Sequence, residues 1–216
     1  MQRMLIFLTS LFFSFAYAVP LDQIKTKPNP GTVVLTFDDG PNPIYTPQII
    51  DILNKYHIHA VFFVMGGFAK MYPNLIKLIN DNGDVVANHT MTHPMLTKIP
   101  AKNLEYQILG VNKIVEKAIG KTPVCVRPPF GMANDQIREF IRSHGMQVIM
   151  WDWNSFDYNK PGVDKIVSNV VNNTHSGYDI LLHDGPKARE QTVAALPLII
   201  EALKKKGLGF DLICQN

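Results

Sequence analysis

The sequence predicts an α/β fold, a (β/α) barrel of about seven parallel strands in a single domain, and two observations carry that reading. Short apolar runs of β-forming residues recur along the chain, and amphipathic helical stretches lie between most of them, which argues for a parallel sheet. Seven strand units with helices between them suit a barrel, regular or irregular, better than an open sheet.

The strand-like runs are residues 32–37, 60–65, 84–87, 124–126, 147–151, 178–183 and 209–213. Residues 45–56 follow a proline-rich turn and place Ile49, Ile52, Leu53 and Tyr56 on one helical face. Residues 101–119 repeat Leu104, Ile108, Val111, Val115 and Ile119 at helical spacing, which predicts one continuous helix.

Residues 1–18 have the organisation of an export signal. One early cation, Arg3, precedes the uncharged apolar stretch 4–15, and Ala16-Tyr17-Ala18 supplies small residues around a cleavage point. That stretch is too short to cross a bilayer, and no later run is long enough, so the expectation is an exported protein, periplasmic or secreted, that starts at Val19. Residues 19–216 fit one domain and leave no length for a separate carbohydrate-binding module or wall anchor. The formal net charge is +3 with the charges scattered, so neither a nucleic-acid patch nor a basic membrane-surface helix is indicated. Cys125 and Cys214 are the only cysteines; one disulfide and two buried free thiols both remain open.

In a barrel, chemistry belongs at the C-terminal ends of the strands, and the unusual residues fall there. The first run closes on Thr36-Phe37-Asp38-Asp39-Gly40-Pro41. Side chains alternate along a strand, but the Gly-Pro turn at its end lets two adjacent carboxylates address one pocket from different directions. After residues 84–87 comes His89-Thr90-Met91-Thr92-His93, where an i, i+4 spacing on a helical turn would bring both imidazoles to one metal. With Asp39 the pair makes a two-His-one-Asp set, the open shell of a catalytic rather than a structural zinc site. Other strand ends carry Arg127-Pro128-Pro129-Phe130, Trp151-Asp152-Trp153-Asn154-Ser155-Phe156-Asp157-Tyr158, and Leu181-Leu182-His183. Each has an ordinary explanation, as a surface cation, core aromatics or a satisfied strand-end histidine, but that explanation must hold at every strand end.

Those five segments, in that order, resemble the five motifs of the polysaccharide deacetylases with a NodB homology domain, carbohydrate esterase family 4; the resemblance covers roughly residues 32–213. It implies a distorted (β/α) barrel and metal-dependent hydrolysis of the N-acetyl group on N-acetylglucosamine-type units of a polysaccharide, either peptidoglycan or a chitin-like oligomer. Carried over residue by residue, Asp39, His89 and His93 hold Zn²⁺ or another divalent ion such as Co²⁺, Ni²⁺ or Mn²⁺. Asp38 is the general base, oriented and kept ionised by Arg127, and His183 is the general acid. A backbone N–H near Phe130 helps to stabilise the oxyanion. Phe130, Trp153, Tyr158 and Leu181 are the residues expected around the sugar and its acetyl group. The chain departs from the pattern at Phe130, where Tyr is usual, and at Asn154, where an Asp expected to support His183 is usual; Asp157 is kept. Rival readings are an O-acetyl esterase on acetylated xylan, an amidohydrolase acting on a small cyclic amide, and a catalytically silent glycan-binding domain.

Overall fold

The computed structural model describes residues 19–215; the export signal expected at residues 1–18 lies outside the described residues. The chain lays down β1 (Thr32–Asp38), α1 (Tyr45–Tyr56), β2 (Val61–Val64), α2 (Gly66–Met71), α3 (Pro73–Asp81), β3 (Val85–Asn88), α4 (Gly110–Ile119), β4 (Cys125–Val126), α5 (Asp135–Ser143), β5 (Gln147–Val148), β6 (Trp153–Asn154), α6 (Val163–Asn173), β7 (Asp179–His183), α7 (Glu190–Lys205) and β8 (Gly209–Phe210). Seven strands form one array in the order β5-β4-β3-β2-β1-β7-β6, and β8 pairs with the start of β1; every pairing is parallel.

This array has to curl. A flat sheet of seven strands spans about 29 Å between its edges at about 4.8 Å per gap. Its edge strands β5 and β6 are joined only by residues 149–152, five Cα steps from Val148 to Trp153. At about 3.6 Å per step that link reaches no more than about 18 Å. The result is a distorted half-barrel, as the sequence predicted.

Alternation along the strands divides the core in two. Val33, Leu35 and Phe37 of β1 pack with Phe62 and Val64 of β2 against Ile49, Leu53, Ile166, Leu196 and Ile200 of the surrounding helices. The opposite face contributes Val34, Val61, Phe63, Ala87 and Cys125 to an interior cluster, which Ile24 and Ile213 join from outside the sheet. Cys125 and Cys214 are bonded to each other, with Cα atoms 5.6 Å apart, so the open question of their pairing resolves to a disulfide.

Two expected elements differ. The run 147–151 is strand only at Gln147–Val148, because the chain then crosses to the other edge and pairs again as β6. Residues 101–119 are not one helix: a 3-10 turn (Ala101–Asn103) and a π-helical turn (Glu105–Leu109) precede α4. The π turn directs Gln107 out of the helix, and its Oε1 accepts from the backbone N–H groups of Met91 and Thr92. A π turn at a functional site is a recurrent use of that geometry.

Register places the chemistry. Asp38 at the end of β1 stands opposite His183 at the end of β7, and Asn88 at the end of β3 stands opposite Val126 of β4. The residues that follow, Asp39, His89 and Arg127, therefore leave the sheet within one residue of a common level.

Candidate active site

Asp38 is the last residue of β1, and the inward alternation Val34-Thr36-Asp38 aims its carboxylate into the barrel. Asp39 follows at φ 73°, a left-handed conformation uncommon outside glycine, which turns its side chain to a second direction. Two glycines let this turn lie against the end of β7. A Cβ on Gly40 would fall 2.2 Å from Asp184 Oδ2, and one on Gly185 would fall 2.4 Å from the Asp39 carbonyl oxygen.

His89 and His93 do meet, with ring centroids 4.9 Å apart, but not on a helical turn. Thr90 and His93 both have positive φ, 68° and 58°. Side chains take the amides that a helical turn would direct to its own carbonyls: Thr90 N–H donates to Asn88 Oδ1 and His93 N–H to Thr90 Oγ1. Asn88 is itself fixed, its amide donating to the Ile108 carbonyl and to Asn112.

His89 Nδ1 lies 2.7 Å from the Arg127 carbonyl oxygen, which can only accept, so Nδ1 carries the proton and the Nε2 lone pair faces the site. That Nε2 is 3.4 Å from Asp39 Oδ1, and His93 Nε2 is 3.3 Å from the same oxygen. The ligand atoms of Asp39, His89 and His93 all lie within 4.8 Å of one another, and Asp39 Oδ1 is buried with no hydrogen-bond partner. Burial pushes His93 down, with His89 adding to the effect, so it is held as neutral imidazole. Burial alone would raise Asp39, but the imidazoles of His89, His183 and His93 beside it bring it below the usual carboxylate value. Two ring nitrogens and a carboxylate oxygen converging in this way fit a divalent cation.

Arg127 is fully buried and acts as the strut of the barrel interior. Its Nη1 donates to Asp38 Oδ1 at 2.8 Å and to Thr36 Oγ1 at 2.7 Å, its Nη2 donates to Asp179 Oδ2 at 2.7 Å, and its carbon Cζ lies 4.0 Å from the centre of the Phe63 ring. Burial pushes Asp179 up to about 6, with Arg127 opposing. Sequence reasoning missed Asp179. The signal was present: a carboxylate inside the run Tyr178-Asp179-Ile180-Leu181-Leu182, on a strand buried on both faces, requires a partner.

His183 is held on its Nδ1 side by Asp157 Oδ1 at 2.7 Å, while Asp157 Oδ2 accepts from His183 N–H and from Thr192 Oγ1. Burial alone would lower His183, but the Asp157 carboxylate outweighs it and the imidazole is raised above its ordinary value. This corrects the expectation for position 154. Asn154 Oδ1 accepts from Phe156 N–H and shapes the turn that delivers Asp157 to His183; it is not the residue on which the histidine relies. Behind Asp39, burial pushes Asp184 up to about 7, opposed by a hydrogen bond from Thr46.

A cavity of about 500 Å³ unites Asp38, Asp39, His89, His93 and His183 with Phe130, Tyr158 and Leu181. Trp153 is the exception among the expected lining residues: its indole N–H donates to the Asn169 carbonyl, and Trp151 lines the cavity in its place. Trp151 lies before the two-residue strand β6, beyond the reach of an alternation argument.

A peptidoglycan-N-acetylglucosamine deacetylase of Bacillus cereus is 41% identical over 189 residues, 87% of this chain and 88% of that protein. A chitooligosaccharide deacetylase of Sinorhizobium fredii is 38% identical over 211 residues, 91% of this chain and 98% of the relative. Among solved structures, a family 4 carbohydrate esterase from Streptomyces lividans in complex with acetate superposes with a TM-score of 0.79 at 34% identity, covering 84% of this chain and 92% of that one. Residues 25–149 match the family model for polysaccharide deacetylase, well over half of the sequence, and the chain belongs to that family.

Proposed function

We propose that this protein removes N-acetyl groups from N-acetylglucosamine-type units of a polysaccharide, peptidoglycan or a chitin-like oligomer, as a metal-dependent hydrolase. One observation carries the reading: a three-donor metal shell, a carboxylate held by a buried arginine and a histidine held by a second carboxylate open into one cavity. Asp39, His89 and His93 hold the ion, Zn²⁺ or another divalent metal such as Co²⁺, Ni²⁺ or Mn²⁺. When bound, it supplies Lewis acidity to a water and to the acyl oxygen.

The chain's own residues do the rest. Asp38 takes the proton of the attacking water on Oδ2, since Arg127 holds Oδ1. A backbone N–H near Phe130 donates to the oxyanion as the acyl carbon becomes tetrahedral. His183, anchored through Nδ1, presents Nε2 to the departing amine and protonates it. Leu181 and Tyr158 form the apolar wall for the acetyl methyl. Residues 1–18 are read as an export signal and 19–216 as the deacetylase domain, which places the enzyme in the periplasm or outside the cell, where such glycans lie; no helix among the described residues is long and apolar enough to cross a membrane.

The test is product analysis with the Zn²⁺-loaded protein on chitin oligomers, peptidoglycan and acetylated xylan. Acetate released with one free amine per acetate from either of the first two, lost on chelation and restored by metal, is the expected result. Acetate from xylan alone would make it an O-acetyl esterase. A metal-loaded protein that binds oligomers and releases nothing would be a silent glycan-binding domain.

A further inference from the structure

Two phenylalanines at this cavity sit where phenylalanine is least comfortable. Phe130 has φ 59° and Phe156 has φ 56°, left-handed backbone that bulky residues rarely adopt. Core burial does not offset that strain, because the two residues keep 58% and 45% of their surface exposed. Strain without burial needs another reason: Phe130 lines the catalytic cavity, and Phe156 stands at its rim against Tyr158, which lines it. Phe130 lies edge-on to His93 at 4.8 Å, on the metal-donor side. Phe156 lies edge-on to Tyr158 at 6.2 Å, and Tyr158 in turn lies edge-on to His183 at 5.3 Å, on the side of the acid.

Each ring is held outward by its local turn. Asn154 Oδ1 accepts from Phe156 N–H at 2.8 Å and Ser155 Oγ accepts from Asp157 N–H at 3.2 Å, so one turn sends Asp157 inward to His183 and Phe156 outward to solvent. Gly131, which follows Phe130, has φ 66°, and a Cβ there would lie 2.9 Å from Met150 Cε, so the loop carrying Phe130 is packed down behind its ring.

We infer that Phe156 is a specificity-determining residue that reads the glycan as a chain: it offers an apolar face to the sugar next to the one whose acetamido group enters the cavity, with Phe130 as its counterpart on the other side. This rests on the deacetylase reading above. A pyranose ring in a β-linked chain has a face of axial C–H groups, and an exposed, rigid aromatic ring is the side chain that matches it. The occupant is therefore a β-linked N-acetylglucosamine-type oligomer of at least three units rather than a single acetylated sugar.

The experiment compares kcat/KM on the N-acetylglucosamine monomer and trimer for the wild type, Phe156→Asn and Phe156→Trp. Asn suits the left-handed backbone, so the ring is removed without adding strain. Because both substrates are measured on the same preparation, their ratio is insensitive to the fraction of protein that is folded or metal-loaded. The trimer-to-monomer ratio should fall about tenfold in Phe156→Asn, a loss of about 1.4 kcal/mol of selective binding, and return in Phe156→Trp. An unchanged ratio in active Phe156→Asn would overturn the platform and leave the deacetylase reading standing. A metal-loaded wild type that releases acetate from no oligomer would overturn both.

Discussion

His183 titrates above its ordinary value in spite of its burial. An imidazolium nine-tenths removed from water is unfavourable, and it persists because Asp157 accepts from Nδ1 while Thr192 and a backbone N–H hold Asp157 in place. The upward shift favours the protonated form that the proposed general acid needs. Asp157→Asn should therefore move the alkaline limb of kcat/KM to lower pH and reduce kcat at pH 7 by a factor on the order of 10². Asn154→Asp should leave that limb where it is, because the side chain at 154 is engaged with Phe156 N–H. A pH profile of the three proteins checks both statements. The same raised value links to stability. Protonated His183 favours the folded state fully below the unfolded histidine value of about 6.5, and that contribution is lost as pH rises through the folded value. Urea midpoints of the metal-free protein should fall over that interval, and less steeply in Asp157→Asn.

Strands β1, β4 and β7 are tied above their hydrogen-bond ladders by one guanidinium. Arg127 follows the two-residue strand β4 and bonds Thr36 and Asp38 of β1 and Asp179 of β7, so it spans from an outer strand to the centre of the sheet. Such a network is costly to break, because removing one partner leaves the rest of a buried charge uncompensated. Asp179→Ala should lower stability by about 3–5 kcal/mol, read as a drop in the urea midpoint at constant slope. It should also reduce turnover, since the guanidinium that orients Asp38 is then free to shift. The left-handed loop of the histidine pair shows the same dependence on neighbours: its amides are satisfied by Thr90 within the loop, by Asn88 at the end of β3 and by Gln107 on the π turn.

At the scale of the whole molecule, the disulfide fixes what the sheet leaves weak. Cys125 belongs to β4, only two residues long, and Cys214 lies 89 residues away beyond β8. A cross-link closing a loop of that length stabilises by about 4–5 kcal/mol in the chain-entropy model. Cys125→Ala/Cys214→Ala should lose stability of that order, and wild type under dithiothreitol should behave like it, as measured by urea unfolding. The first residue past β4 is Arg127, so the loss should bring a fall in kcat beyond that of an equally destabilised variant on the helical surface.

Much of this was legible in the residues themselves. Asp38, Asp39, His89, Arg127 and His183 stood out because each ends an apolar run, where a parallel sheet exposes side chains to a common face, and the alternation of strands with helices gave the barrel. Local pattern could not determine which carboxylate serves His183, since Asn154 and Asp157 are three residues apart and a turn built from Asn154 and Ser155 decides which one points inward. Nor could it tell Trp151 from Trp153, because a two-residue strand carries no readable alternation. The histidine pair was found for a helical reason that the fold does not use; a loop pinned by Asn88 and Gln107 brings the rings together instead. Asp179, the disulfide and the curl across residues 149–152 depend on contacts between segments far apart in the chain, and those only the tertiary structure could decide.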